Sequence, residues 1–125
     1  PFLKMLQKYP EYEQEVKVPE KVWPLRNWYM YDQDVCTLID VNERERKVKI
    51  KNYTDKIMFR AFGVMEEPDY NQYIEFLESR CFPESRDKMK LILKDLGLPF
   101  YDPIMIIEKT EGRMAEDDFW IRIER

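Results

Sequence analysis

Apolar positions recur with period two through the middle of the chain and with a period near 3.6 after Pro68. Residues 46–51 show the first pattern. Val48 and Ile50 alternate with Lys47, Lys49 and Lys51, which predicts a strand with one apolar and one basic face. Residues 28–31 are aromatic-rich and residues 35–40 are rich in β-formers, so both predict strands. Polar residues at 41–44 and 52–55 predict the turns between them. Residues 57–62 predict one more strand, ended by Gly63.

Beyond Pro68, Asp69 is a predicted N-cap for a helix whose stripe is Tyr70, Tyr73, Ile74 and Leu77. Residues 80–83 break it. A second helix is predicted to start at 83–85 and to bury Met89, Ile92, Leu93 and Leu96, with Gly97 as its left-handed stop and Lys88, Lys90 and Lys94 outside. Asp102-Pro103 predicts an N-cap with proline at the first helical position. The third helix carries Ile104, Ile106 and Ile107 and closes at Gly112. The tail alternates again: Phe119, Ile121 and Ile123 fall on one side, Trp120, Arg122 and Glu124 on the other. The expected fold is α+β, with a small antiparallel meander packed against three short helices and the last strand returning to the sheet. Before the meander, Phe2, Leu3, Met5, Leu6 and Tyr9 fit one helix face stopped by Pro10. Residues 11–24 read as an extended connection anchored to the core by Val22 and Trp23.

The chain has 125 residues, 44% of them hydrophobic and 37% charged, with 3 glycines, which suits one domain with its own core. The expected divisions are 1–27 (helix and arm), 28–63 (meander) and 69–125 (helical cassette and last strand). No apolar run reaches the roughly 20 residues of a membrane span, and no signal-peptide pattern is visible. The expectation is a soluble, cytoplasmic protein without a membrane association. An opening Pro1 suggests that the natural chain starts earlier.

Histidine is absent, which removes the commonest general base and every Ser-His or Cys-His pair. Ser79, Ser85 and Thr110 therefore have no partner base. Cys36 and Cys81 read as reduced, largely buried thiols. The net charge of -4 is uneven. Residues 43–63 carry seven basic side chains against three acidic ones, whereas residues 64–78 carry five acidic and none basic. Such a segmental dipole can steer a partner.

Four groups are candidates for function. Arg80, Arg86 and Arg113 could form an anion or partner site. The competing expectation is that they pair with Asp102, Asp117 and Asp118 to dock short elements. Arg44, Arg46, Lys47, Lys49 and Lys51 could follow a nucleic-acid backbone, with Tyr53 and Phe59 for stacking. Against this, alternating lysines also protect an exposed strand from aggregation. Trp28, Tyr29 and Tyr31 are candidate interface aromatics. Glu116, Asp117 and Asp118 could ligate a cation, with a capping turn as the simpler expectation. No cofactor is implied.

The run Glu75-Phe76-Leu77-Glu78-Ser79-Arg80-Cys81-Phe82-Pro83-Glu84-Ser85-Arg86 resembles a (Trp/Phe)-x-x-x-Arg-x-x-Pro-x-x-Arg signature. That signature belongs to accessory regions of HipA-like toxin kinases of Gram-positive bacteria and to small proteins of mobile elements. The resemblance continues through Leu93, Leu96-Gly97-Leu98, Tyr101-Asp102-Pro103 and Ile107. It ends at Gly112-Arg113 and Asp117-x-Phe119-Trp120-Ile121. It implies the accessory module alone. A kinase needs a nucleotide-binding Lys, a catalytic Asp with a metal-binding Asn, and a second metal-binding Asp, and this set is not recognisable in the chain. The leading expectation is thus a non-enzymatic interaction or regulatory module with a protein partner, linked to a toxin-antitoxin or mobile-element system. The alternative is a nucleic-acid-binding accessory protein. A metal-dependent hydrolase using Glu111 and the acids 116–118 has least support.

Overall fold

The computed structural model describes residues 18–125, so the predicted helix at positions 2–9 and the connection up to residue 17 lie outside the described residues. Strands β1 (Leu25–Tyr31), β2 (Asp34–Asn42), β3 (Lys47–Asn52) and β4 (Phe119–Glu124) form one antiparallel sheet of order β3-β2-β1-β4. Helices α1 (Tyr70–Glu78), α2 (Met89–Leu96) and α3 (Pro103–Thr110) lie between β3 and β4 in sequence. The fold is α+β, and the final strand does return to the sheet, beside β1.

The local chemistry explains the elements. Asp69 and Gln72 form a reciprocal capping box at the start of α1, at 2.8 Å in both directions. Asp102 Oδ1 accepts from the backbone of Ile104 and Met105 at 2.9 and 3.2 Å, with Pro103 at the first helical position of α3. Gly97 ends α2 with φ 74°. The β2–β3 turn is held by Asn42 Oδ1, which accepts from the Glu45 backbone at 3.1 Å.

Period-two alternation places Leu25, Tyr29, Ile39, Val41 and Ile121 on one face of the sheet, where Tyr73 and Leu77 of α1 and Ile104 and Ile107 of α3 cover them. Burying each such aliphatic side chain stabilises the fold by about 1.5–3 kcal/mol. Trp28, Met30 and Leu38 are buried on the opposite face, with Val18, Val35, Tyr53 and Trp120 around them. β1 is therefore buried on both sides. The α2 helix rests on its neighbours: Leu93 and Leu98 pack on Ile106 of α3. One polar link crosses the main core. Tyr73 Oη donates to Oδ1 of the fully buried Asn27 at 3.1 Å and sets the register of α1 on β1.

Three expectations are corrected. Residues 57–62 do not form a strand; Ile57–Phe59 is a single 3-10 turn. An extended run would send alternate side chains to opposite sides, but both Phe59 and Phe62 are needed inside. Phe59 meets the rings of Tyr31 and Phe119 at 4.8 and 5.6 Å, and Phe62 meets Phe76 at 5.3 Å. The α2 helix begins at Met89, not at 83–85, because Lys88 takes a left-handed conformation at φ 62°. Val22 does not anchor the arm, since it is 76% exposed. Arg26 does so instead, donating to the Pro19 carbonyl at 2.9 Å.

Gly112 sits at φ 62°, and a Cβ there would lie 3.1 Å from Ile107 Cδ1, 3.3 Å from Arg80 Cβ and 3.4 Å from Ile121 Cδ1. Both the backbone and the space thus demand glycine. We expect Gly112→Ala to lower stability by about 2 kcal/mol, read as a shifted denaturant midpoint at unchanged slope. Wild-type stability in that variant contradicts the described packing.

Candidate functional site

Arg80 follows α1 directly and turns inward. Its Nε donates to the Gly112 carbonyl at 2.9 Å, and Nη1 and Nη2 hold the two Asp117 oxygens at 2.8 and 2.9 Å. Nη2 also donates to the Phe119 carbonyl at 2.9 Å. The planar fork suits this bidentate pairing, which a lysine cannot reproduce. Asp117 accepts from the Phe119 backbone at 3.0 Å as well, so the acid starts β4 while it holds the arginine. The Arg80 hydrogen bonds keep the Asp117 carboxyl below the ordinary aspartate value.

The two outer strands differ. On β4, the Phe119 carbonyl is taken by Arg80, and the Ile121 backbone N–H donates to the Glu111 carbonyl at 2.7 Å. The first half of this edge is closed. β3 is the other outer strand, and Lys47 and Lys49 are exposed on it. Lys47 lies 3.3 Å from Glu45, in an exposed pair of little energetic weight. Lys49 sits over the Trp23 ring at 4.5 Å. A groove of about 470 Å³ runs between the arm and this part of the sheet, bordered by Trp23, Leu38, Asp40 and Lys49.

The connection after β3 carries the other unusual surface. Ile57, Met58, Val64 and Met65 are all exposed there, Met58 at 90% and Val64 at 74%. They face outward because Phe59 and Phe62 occupy the core. Arg60 Nε donates to the Thr54 carbonyl at 2.7 Å, and the Ala61 N–H to Thr37 Oγ1 at 3.1 Å. The segment is thus fastened to the sheet while its apolar side chains meet solvent.

The predicted residues are dispersed. Arg80 has the docking role, with Asp117 as its acid, so it is not an open anion site. Arg113 pairs with Glu111 at 2.9 Å and lies over Trp120 at 4.7 Å, not with Asp118. Arg86 is exposed, and Asp102 caps α3 instead of pairing with an arginine. The three arginines share no partner. Arg46 reaches Asn71 at 3.0 Å and lies over Tyr70 at 4.5 Å. Arg44 is exposed. Trp28 and Tyr29 are not surface aromatics. Trp28 is 1% exposed and donates to Glu124 at 3.1 Å, and Tyr29 is stacked on Phe119 at 4.9 Å. A strand buried on both faces leaves them no path to solvent. Tyr31 is half-buried against Phe59 and Phe119.

Among the described residues, no three of Cys, Asp or Glu come together as a metal site. Cys36 and Cys81 are free, and burial pushes their thiols up to about 11 and about 12, away from thiolate chemistry. No helix among the described residues is long and apolar enough to cross a membrane. Sequence reasoning missed Arg26, whose fork holds Asp40 at 2.7 and 3.0 Å. Counting from the β1–β2 turn would have paired Arg26 with Ile39; a register shift between Tyr29 and Met30 sets it opposite Asp40 instead, so the pair was hidden from sequence. Comparison with protein-family models, with curated proteins and with solved structures returns no match to this chain.

The Arg80–Asp117 pair makes stability depend on pH. Because the folded carboxyl titrates below its unfolded value of about 3.9, its contribution is fully present above that pH. It is lost as pH falls through the folded value. We expect Asp117→Asn to cost about 1–2 kcal/mol at neutral pH and to flatten this acid-side decline, whereas Arg80→Ala costs about 3 kcal/mol. Urea unfolding between pH 2 and pH 7 checks both; parallel acid profiles for wild type and Asp117→Asn contradict the pairing.

Proposed function

We propose that this chain is a non-enzymatic protein-interaction module. One observation carries the reading. Ile57, Met58, Val64 and Met65 are exposed together on a connection that hydrogen bonds fasten to the sheet. Large apolar side chains left exposed on one fastened connection stay in water at a cost, and a partner that covers them recovers it. The resemblance of residues 75–121 to accessory regions of HipA-like kinases points the same way, toward a protein partner in a toxin-antitoxin or mobile-element system of the cytoplasm. In this reading Arg80 and Asp117 shape the module and make no contact with the partner.

Nucleic-acid contact through Arg44, Arg46, Lys47, Lys49 and Lys51 is the second reading. It is favoured by the exposure of Arg44, Lys47 and Lys49 on and beside an outer strand. The sequence pI near 5.0 weighs against it.

The test is affinity purification of the tagged protein from its own cells, with and without nuclease, beside the variant Met58→Glu. At 90% exposure Met58 can be changed without disturbing the fold. We expect one stoichiometric protein partner that survives nuclease and is lost by at least about tenfold in the variant, about 1.4 kcal/mol. A partner retained equally by Met58→Glu removes the apolar surface from the account. Nucleic acid released by moderate salt supports the second reading.

A further inference from the structure

We propose that the outer edge of β3 takes up an extended, acidic segment of a partner protein as a fifth strand, an inference that rests on the interaction reading above. The hydrogen-bond phase of the ladder is the starting point. The Tyr53 N–H donates to the Cys36 carbonyl at 2.9 Å, in the same register that pairs Leu38 with Lys51 and Asp40 with Lys49. Bonded and non-bonded pairs alternate in an antiparallel ladder. Lys47, Lys49 and Lys51 therefore turn their backbone groups toward β2, and Val48 and Ile50 turn theirs outward. No described residue bonds the outward groups of Val48 and Ile50. On the opposite edge of the sheet, Arg80 and the Glu111 carbonyl take the outward groups at the start of β4, whereas along β3 no described residue takes those of Val48 or Ile50.

Charge selects the occupant. An added strand places its outward-bonding residues opposite Val48 and Ile50, and its remaining residues opposite Lys47 and Lys49 on the basic face. A second copy of this chain, paired antiparallel about a two-fold axis, must match Val48 and Ile50 with themselves. It then sets lysine opposite lysine, which is unfavourable. An acidic strand meets complementary charge at those positions. On the other face, Val48 and Ile50 are half-buried, and a mostly polar groove of about 680 Å³ runs past Ile50, Asn52, Arg60, Val64, Glu66 and Glu67. The alternate side chains of the incoming strand lie along it, beside Val64 and the carboxylates of Glu66 and Glu67, so acidic residues are disfavoured at these alternate positions. The segment recognised is thus acidic and apolar by turns, bound through its main chain and selected by its charges.

The probe is a synthetic peptide of about eight residues alternating glutamate with valine, followed by amide NMR and hydrogen exchange on the whole chain. We expect the Val48 and Ile50 amides to shift and gain protection, and binding to weaken with salt. Lys47→Glu with Lys49→Glu should lose about tenfold for this peptide and gain for its lysine-valine counterpart. A peptide methylated on alternate backbone nitrogens should not bind, since it cannot complete the ladder. Equal binding of the methylated peptide, or unchanged Val48 and Ile50 amides, overturns the proposal. An oligonucleotide that perturbs Lys47 and Lys49 while the acidic peptide leaves Val48 and Ile50 unprotected also overturns it, in favour of a phosphate track. A peptide that fails while the Met58-dependent partner is still captured sinks strand addition and leaves the interaction reading standing. Failure of both removes both.

Discussion

A buried guanidinium holds this architecture together. Taking Arg80 out of water costs several kcal/mol, and the cost is offset only because four hydrogen bonds meet it in fixed directions. Those bonds come from three separate places in the chain: the turn after α3, the acid at 117, and the first residue of β4. The end of α1 is thereby tied to the last strand across 37 to 39 positions of sequence. Gly112 is the necessary partner, since its carbonyl accepts from Arg80 and its missing side chain lets Ile107, Arg80 and Ile121 close over it.

The same contact decides what the sheet can present to other molecules. Arg80 and the 111–117 turn occupy the outer groups at the start of β4, so backbone pairing cannot extend over that part of the edge. The opposite strand has lysines on one face, half-buried aliphatics on the other and, between them, main-chain groups that no described residue bonds. The apolar connection at 57–65 follows β3 in the chain, and its Val64 borders the groove that runs past Ile50 of that strand.

Burial on both faces of β1 explains why the aromatic segment near residue 30 carries structure and not recognition. Tyr29 lies between Phe76 and Phe119, and Trp28 spends its indole N–H on Glu124. Two of the three rings that looked most like a docking patch, Trp28 and Tyr29, are buried. Met58 and Val64, which carry no compositional signal, are the ones left outside because two neighbouring phenylalanines fill the available space.

Residues whose partners are near in sequence could be read before the fold was known. Asp69 with Gln72, Asp102 with Pro103, Gly97, the alternation of 47–51 and the returning strand at 119–124 all follow from local periods and caps. The docking role of an arginine at 80, 86 or 113 was legible as a class, but the choice of Arg80 with Asp117 was not. Nor were the Arg26–Asp40 fork, the 3-10 turn at Ile57–Phe59, or the exposure of Val22. Periodicity and capping depend on energies between neighbours a few residues apart, which the chain carries in any conformation. Which side chains reach the interior, which arginine is desolvated and which edge stays open depend on volumes and hydrogen-bond partners supplied by distant segments, and these exist only once the layers have packed.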